Sequence, residues 1–251
     1  MSGQKLIYLL VLVICGAPLA VAETEAHFYN APENINPDPN YTPGPYPLPD
    51  LYASQTAYAT KKMELAQTYS AQDPNNFFVF TGEIVASATK NESTSVPGYF
   101  RDFTGVLKIG PAGPEKMEML IDANSYDTGV PARNNRVLAI LFESMKPELG
   151  TITAVFDQFD FSGKSYQEIQ DGDTHSMKAM GKVIFNGLTQ NVAASLTVRY
   201  QDRTWTVQTE SPMTFLLTDF QFGNRIYDLM KECNHQSLAN AVEVKVNLSL
   251  R

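Results

Sequence analysis

"AVEVKVNLSLR", Ala241 to Arg251, alternates from end to end: Val242, Val244, Val246, Leu248 and Leu250 share one parity, and Glu243, Lys245, Asn247 and Ser249 take the other. Successive strand side chains point to opposite faces, so this stretch reads as a strand with one dry and one wet side. The same period of two runs upstream. "NVAASLTVRY" groups Val192, Ala194, Leu196, Val198 and Tyr200, and "MKAMGKVIF" sets Met177, Ala179, Gly181, Val183 and Phe185 against Lys178 and Lys182. "NFFVFTGEIVASA" offers Phe78, Phe80, Ile84 and Ala86, "FTGVLKI" offers Phe103, Leu107 and Ile109, and "KMEMLIDANS" offers Met117, Met119 and Ile121. "TITAVFDQF" adds Ile152, Ala154 and Phe156, and "RTWTVQTESPMTFLL" adds Trp205, Val207, Met213, Phe215 and Leu217.

Turn-forming segments ("IGPAGPE", "DGDTH", "FNGLTQN", "YQDRT") separate these runs, giving roughly eight strands in roughly 175 residues. Helix-period patterning is sparse between them, which argues against βαβ units and for an antiparallel meander. A sheet dry on one face either packs on a second sheet or closes on itself. Eight strands close into a barrel whose interior is filled by side chains or holds one small ligand. Periodicity alone leaves sandwich and barrel open.

The N-terminal part is built differently. Lys5, the apolar run Leu6 to Ile14 and the small residues Ala20 to Ala22 read as a cleavable export signal over 1–22, too short to span a bilayer as a helix. Cys15 raises a lipoprotein anchor as a competing reading, but Ile14 stands where a small residue is wanted. Residues 23–49 form an extended segment: seven of the eighteen residues from Pro32 to Pro49 are proline, which removes backbone donors and fixes φ too often for helix or inner strand. In 50–75, Leu51, Tyr58, Leu65 and Tyr69 share a helical face with Asp50 or Ser54 as candidate caps. That helix either docks on the main domain, 76–251, or meets a protein partner through residues 23–70.

Cleavage after Ala22 leaves 18 basic against 27 acidic residues, a formal charge of −9, with no basic run, so a grip on nucleic-acid phosphates is not expected. Only Cys233 survives cleavage, so no internal disulfide forms and the core alone must hold the fold. The "NES" and "NLS" triplets at Asn91 and Asn247 carry little weight.

"FRDFTGVLKI", "IDANSYDTGVPARNNRVLAILF", "MGKVIFNGLTQNVAASLTV" and "TDFQF" come in an order and spacing that resembles the YceI family of exported lipocalin-like proteins, over about Phe77 to Leu250. Phe100, Phe103 and Gly105 match the family's F-x-x-F-x-G. Thr128, Gly129 and Arg133 match the T-G and arginine of its second element. Gly181, Gly187 and Thr189, with Val183 in place of a leucine, match G-x-L-x-x-x-G-x-T, and Asp219 with Phe220 match D-F-G. The family's acid after the arginine is Asn134 here, its histidine Arg136 and its leucine Val137; Thr218 replaces an arginine and Gln221 a glycine.

The resemblance implies an all-β, eight-stranded antiparallel lipocalin-like β-barrel in the periplasm, enclosing an elongated pocket for a polyisoprenoid or quinone-like lipid. Secretion is the alternative address. The apolar parity is the lining such a chain wants, and small residues at Ala86, Ala154, Ala179, Gly181 and Ala194 leave room along the bore. The expected binding residues are Phe78, Phe80, Phe103, Met119, Ile121, Leu138, Phe142, Phe156, Val183, Phe185, Leu196, Trp205 and Phe215, with Arg133 and Asn134 meeting the polar head at the rim. A filled core serving envelope stress or protein interaction is the competing reading.

Catalysis has little support. Cys233 and His235 stand two apart with no third ligand nearby, and "DGD" at Asp171 to Asp173 lacks EF-hand spacing, so neither a metal nor a cofactor is expected beyond a bound lipid. No G-x-S-x-G, H-E-x-x-H or phosphate loop occurs. Strand periodicity stops after Ser125, and in "DTGVPARNNRVLAILFE" Val137, Leu138, Leu141 and Phe142 take helix-like spacing. This stretch is expected to be a gate or lid over one end.

Overall fold

The computed structural model describes residues 28–30, 51–69, 76–77, 80–142, 150–162 and 165–251. The export signal, most of the proline-rich segment and Phe78 lie outside them. The alternating runs are strands: β1 (Phe28–Asn30), β2 (Asn76–Phe77), β3 (Phe80–Lys90), β4 (Thr94–Phe100), β5 (Phe103–Gly110), β6 (Gly113–Asp122) and β7 (Tyr126–Asp127) come first. They are followed by β8 (Thr151–Asp160), β9 (Thr174–Phe185), β10 (Leu188–Gln201), β11 (Thr204–Thr209), β12 (Met213–Leu216) and β13 (Ser237–Leu250). All join one antiparallel sheet in the order β2-β5-β6-β8-β9-β10-β11-β13-β3-β4-β7, with β1 and β12 paired to β13.

The all-β antiparallel expectation holds, but the eight strands closing on themselves do not: there are thirteen among the described residues, and the ladder does not join end to end. The reason lies at the seam between β3 and β5. β3 pairs with β13 and, from Ile84 to Lys90, with β4, while β5 pairs with β6 and, at Leu107 and Lys108, with β2; no backbone ladder joins β3 to β5. They meet through side chains instead. The Phe80 ring lies within 2.5 Å of where a Cβ on Gly105 would stand, so only glycine lets it in.

The sheet nevertheless curls round one interior, because inward residues of β3 at one end of the order and β6 at the other share a single apolar cluster. Alternation positions them: in β9, Met177, Ala179 and Phe185 are buried while Lys178 and Met180 face out. Where β9 crosses β8 the register shifts near Phe156, and Gly181 lies so close to Val155 O that a Cβ would stand 2.0 Å from it.

Among the described residues three α-helices attend the sheet: α1 (Tyr52–Thr68), α2 (Pro131–Arg136) and α3 (Gly223–Cys233). α1 docks, as one of the two readings of its sequence had it. Tyr58 and Leu65 bury against Val106 and Leu120, which point outward from β5 and β6, with Tyr69 packed beside them. Tyr58 Oη donates to Asp102 Oδ1 at 3.0 Å and Tyr69 Oη to Glu118 Oε2 at 3.0 Å. Ser54 does not cap the helix; its hydroxyl donates to Leu51 O, and the residue is fully buried against Gly150.

Candidate ligand-binding site

The inward faces of β3, β6, β8, β9, β10 and β13 run from an end where β11, Tyr166 and Phe161 close the interior to an end where α2 and α3 sit. At the closed end Trp205 stacks on Tyr166 at 5.9 Å and tilts against Tyr200 at 5.1 Å, plugging the interior with aromatic rings. Between the two ends lies a cavity of about 220 Å³.

Its walls are aliphatic and aromatic. Ile84, Ala86, Ala154, Val207, Val244 and Leu248 line it together with Met119, Ile121, Phe156, Val183, Leu196 and Phe215. An aromatic arc crosses its upper part: Phe100 meets Tyr126 at 5.2 Å, Tyr126 meets Phe142 at 5.7 Å, Phe142 meets Phe185 at 5.5 Å, and Phe185 meets Phe222 at 5.3 Å. The Tyr126 ring lies over Gly98, where a Cβ would meet it at 2.1 Å. Burial pushes the Tyr126 hydroxyl up to about 12, so it stays protonated and the wall stays neutral there.

The polar lining residues, Lys90, Thr128, Arg133, Cys233 and His235, gather at one end. Lys90, Arg133, Cys233 and His235 are all half-exposed, so the cavity meets solvent here and this end is its mouth. Burial raises the Cys233 thiol above its ordinary range although Arg136 and Arg133 pull the other way, which keeps it a thiol and not a nucleophilic thiolate. Among the described residues no group of three His, Cys, Asp or Glu side chains could hold a metal ion.

The mouth is roofed by the segment the sequence marks as a lid. Pro131 opens α2, where its missing N–H costs nothing. A π-helical turn, Val137–Leu141, follows; its wider winding is closed by Phe142 N donating to Val137 O at 3.0 Å and turns Val137 and Leu141 into the cavity. Arg225 Nη1 from α3 donates to Leu141 O at 3.3 Å and ties the two roof elements together.

Of the residues expected to line the site, Met119, Ile121, Arg133, Phe142, Phe156, Val183, Phe185, Leu196 and Phe215 do so. Four apolar ones are buried or half-buried in the surrounding core instead. Phe80 and Phe103 lie by the β3–β5 seam, Leu138 turns away from the cavity within the roof, and Trp205 belongs to the closed end. Asn134 is not at the rim as a head-group contact. Its Oδ1 accepts from Thr128 N at 2.8 Å and Thr128 Oγ1 at 2.6 Å, and its Nδ2 donates to Asp127 Oδ1 at 2.8 Å. It is the latch that fixes α2 to β7.

Sequence reasoning missed Lys90, His235 and the roof residues Phe222 and Leu229. The signal for α3 was present, since Ile226, Leu229, Met230 and Cys233 repeat at helical spacing. For Lys90 there was none: it ends a strand, and only the turn contacts bring it to His235.

The chain's relationships agree with this geometry. The model of the YceI-like domain matches residues 71–250. Among solved structures, a polyisoprenoid binding domain from Saccharophagus degradans, implicated in plant cell wall breakdown, aligns with a TM-score of 0.60 at 18% identity, covering 70% of this chain and 98% of that one. BcnA of Burkholderia cenocepacia aligns with a TM-score of 0.53 at 20% identity, covering 67% and 95%. No curated protein matches. With the family model matched across every strand from β2 to β13, this chain belongs to the YceI-like domain family.

Proposed function

We propose that the protein takes up an elongated apolar ligand, of the polyisoprenoid or quinone-like class, in the cavity and either sequesters or carries it. The observation that carries this reading is the division of the lining: aliphatic and aromatic side chains along the bore, polar ones only at the mouth. An amphiphile with a long tail and a polar head has the same division. Apolar cavities of about 150 Å³ stay dry and take up benzene, so one of 220 Å³ has room for a hydrocarbon segment. A long polyisoprenoid needs further widening, and pockets for drug-sized ligands run to about 300–1,000 Å³. Met117, Met119 and Met213 on the lining are side chains that yield readily. The solved relative described as a polyisoprenoid binding domain supports the ligand class.

In this reading the curled strands sheathe the ligand as the barrel implied by the resemblance would, with side chains in place of a backbone ladder at the β3–β5 seam. Export to the periplasm is proposed on the N-terminal sequence, and N-terminal sequencing of the protein recovered from a cell envelope fraction checks it. A filled interaction module is less well supported, because α1 already spends its apolar face on Val106 and Leu120. Organic extraction of the natively purified protein followed by mass spectrometry tests the carrier reading. A stoichiometric isoprenoid is expected, and no lipid together with no uptake of added isoprenoid quinone would sink it.

A further inference from the structure

The mouth has a sign. Among the cavity's lining residues the charged and titratable cationic groups are Lys90, Arg133 and His235, and no aspartate or glutamate joins them. This occurs in a chain of formal net charge −8. Arg136 stands one turn beyond Arg133 on α2, at a spacing that puts both on one side of the helix, and both guanidinium groups act on the Cys233 thiol, drawing it down against the effect of burial.

The four groups are held, not loosely gathered. Lys90 ends β3, and the turn after it is tied to the start of β13: Asn91 N donates to Ser237 O at 2.9 Å, Gln236 N to Asn91 Oδ1 at 3.0 Å, and Glu92 N to Ser237 Oγ at 3.1 Å. These bonds bring His235 beside Lys90. The Asn134 latch holds α2, and with it Arg133, over the opposite rim.

Among the described residues, the nearby acids do not neutralise them. Asp127 accepts from Gly129 N and Asn134 Nδ2 and pairs with Arg101 at 3.4 Å, while Glu232 is exposed on α3. No ion pair among the described residues engages Lys90, Arg133 or Arg136. His235 registers the shared field: after burial, Lys90, Arg133 and Arg136 are what hold its imidazole below the ordinary range.

Resting on the carrier reading, we propose that this mouth selects amphiphiles with an anionic head, a carboxylate or a phosphate monoester, held by Lys90, Arg133, Arg136 and His235. Like charges collected at the rim of an apolar bore repel one another, and an anion relieves that repulsion where a neutral quinone or alcohol head cannot. Guanidinium groups supply paired donors matched to carboxylate and phosphate oxygens.

The test keeps the tail constant and changes the head. Displacement of the neutral fluorophore N-phenyl-1-naphthylamine is measured with palmitate against hexadecanol and with farnesyl phosphate against farnesol. Each anion is expected to compete about tenfold better than its alcohol, with the advantage shrinking as ionic strength rises from about 0.05 to 0.5 M. The pair with the larger anion-to-alcohol ratio names the head as carboxylate or phosphate. The ratio should fall to about twofold in Arg133→Gln/Arg136→Gln and stay at its parent value in Lys178→Gln/Lys245→Gln, which removes the same charge from exposed strand positions. Equal binding of anion and alcohol, or a ratio unchanged in the arginine variant, overturns the inference while leaving the carrier reading intact. Failure of the fluorophore and of every alcohol and anion to bind overturns both.

Discussion

Asn134 and Gln221 stand where the family pattern has an acid and a glycine, and the structure gives the two departures opposite meanings. Asn134 can donate to Asp127 Oδ1 at 2.8 Å while accepting twice from Thr128, which a carboxylate cannot do. Asn134→Asp would set two carboxylates within hydrogen-bond reach and lower the melting temperature at neutral pH. The sign with pH follows: repulsion raises the pair's proton affinity, so the variant's deficit in melting temperature should narrow as pH falls toward about 4, and a deficit that widens would refute the latch. In the parent the sense is reversed. Hydrogen bonds from Gly129 N and Asn134 hold the Asp127 carboxyl below its ordinary value, so its contribution is present above that value and fades as pH drops through the lowered one. Gln221, by contrast, is a departure with a cost. It sits at φ 61°, ψ 30°, a left-handed conformation that suits glycine, and its side chain is exposed. Gln221→Gly should stabilise by about 0.5–1 kcal/mol, seen as a melting temperature raised by about 2 °C.

At the scale of elements, α1 is where sequence and structure agree most fully on faces. Tyr58 and Leu65 were legible from spacing alone, because a helix repeats every 3.6 residues whatever it packs on. The surface that receives them was not legible. Val106 and Leu120 occupy the parity that the alternation assigns to solvent, and only the docked helix explains two apolar residues there. Leu65→Ala should cost about 2–3 kcal/mol if α1 unfolds with the sheet. The helix is, however, joined to the sheet through one small apolar cluster and a few polar contacts at its margin, so we expect local release: amide exchange in residues 52–68 should accelerate several-fold while exchange in β9 and β10 stays unchanged. Equal acceleration in the central strands would make α1 part of the cooperative core. The π-helical turn and α3 mark the other limit of legibility. Helical spacing pointed to a lid after Pro131, but a turn that winds wider than an α-helix is fixed by its neighbours, here Arg225 reaching Leu141 O.

Over the whole molecule, alternation sufficed for the sheet because one face must be dry, and a one-residue slip would turn every strand inside out. It could not show how the sheet ends, since β2 and β7, the two ends of the strand order, are two-residue pieces too short to show an alternation. Nor could it separate wall from filling: Phe80 and Trp205 share the inward parity of Phe156 and Phe185, and only the seam and the closed end decide that the first pair is packed and the second lines space. That space has an energetic consequence. At about 24 cal/mol per Å³, an empty apolar cavity of 220 Å³ costs on the order of 5 kcal/mol relative to a filled one, a large share of a domain's net stability. A molecule built this way is expected to be stable chiefly when loaded. Stripping the lipid from native protein by chromatography on a hydrophobic resin under non-denaturing conditions should lower its melting temperature, and adding back the extracted lipid should restore it with the logarithmic dependence on ligand concentration that binding to the folded state requires. If stripped and reloaded protein melt together at every concentration, the cavity closes over its own side chains and the carrier reading fails.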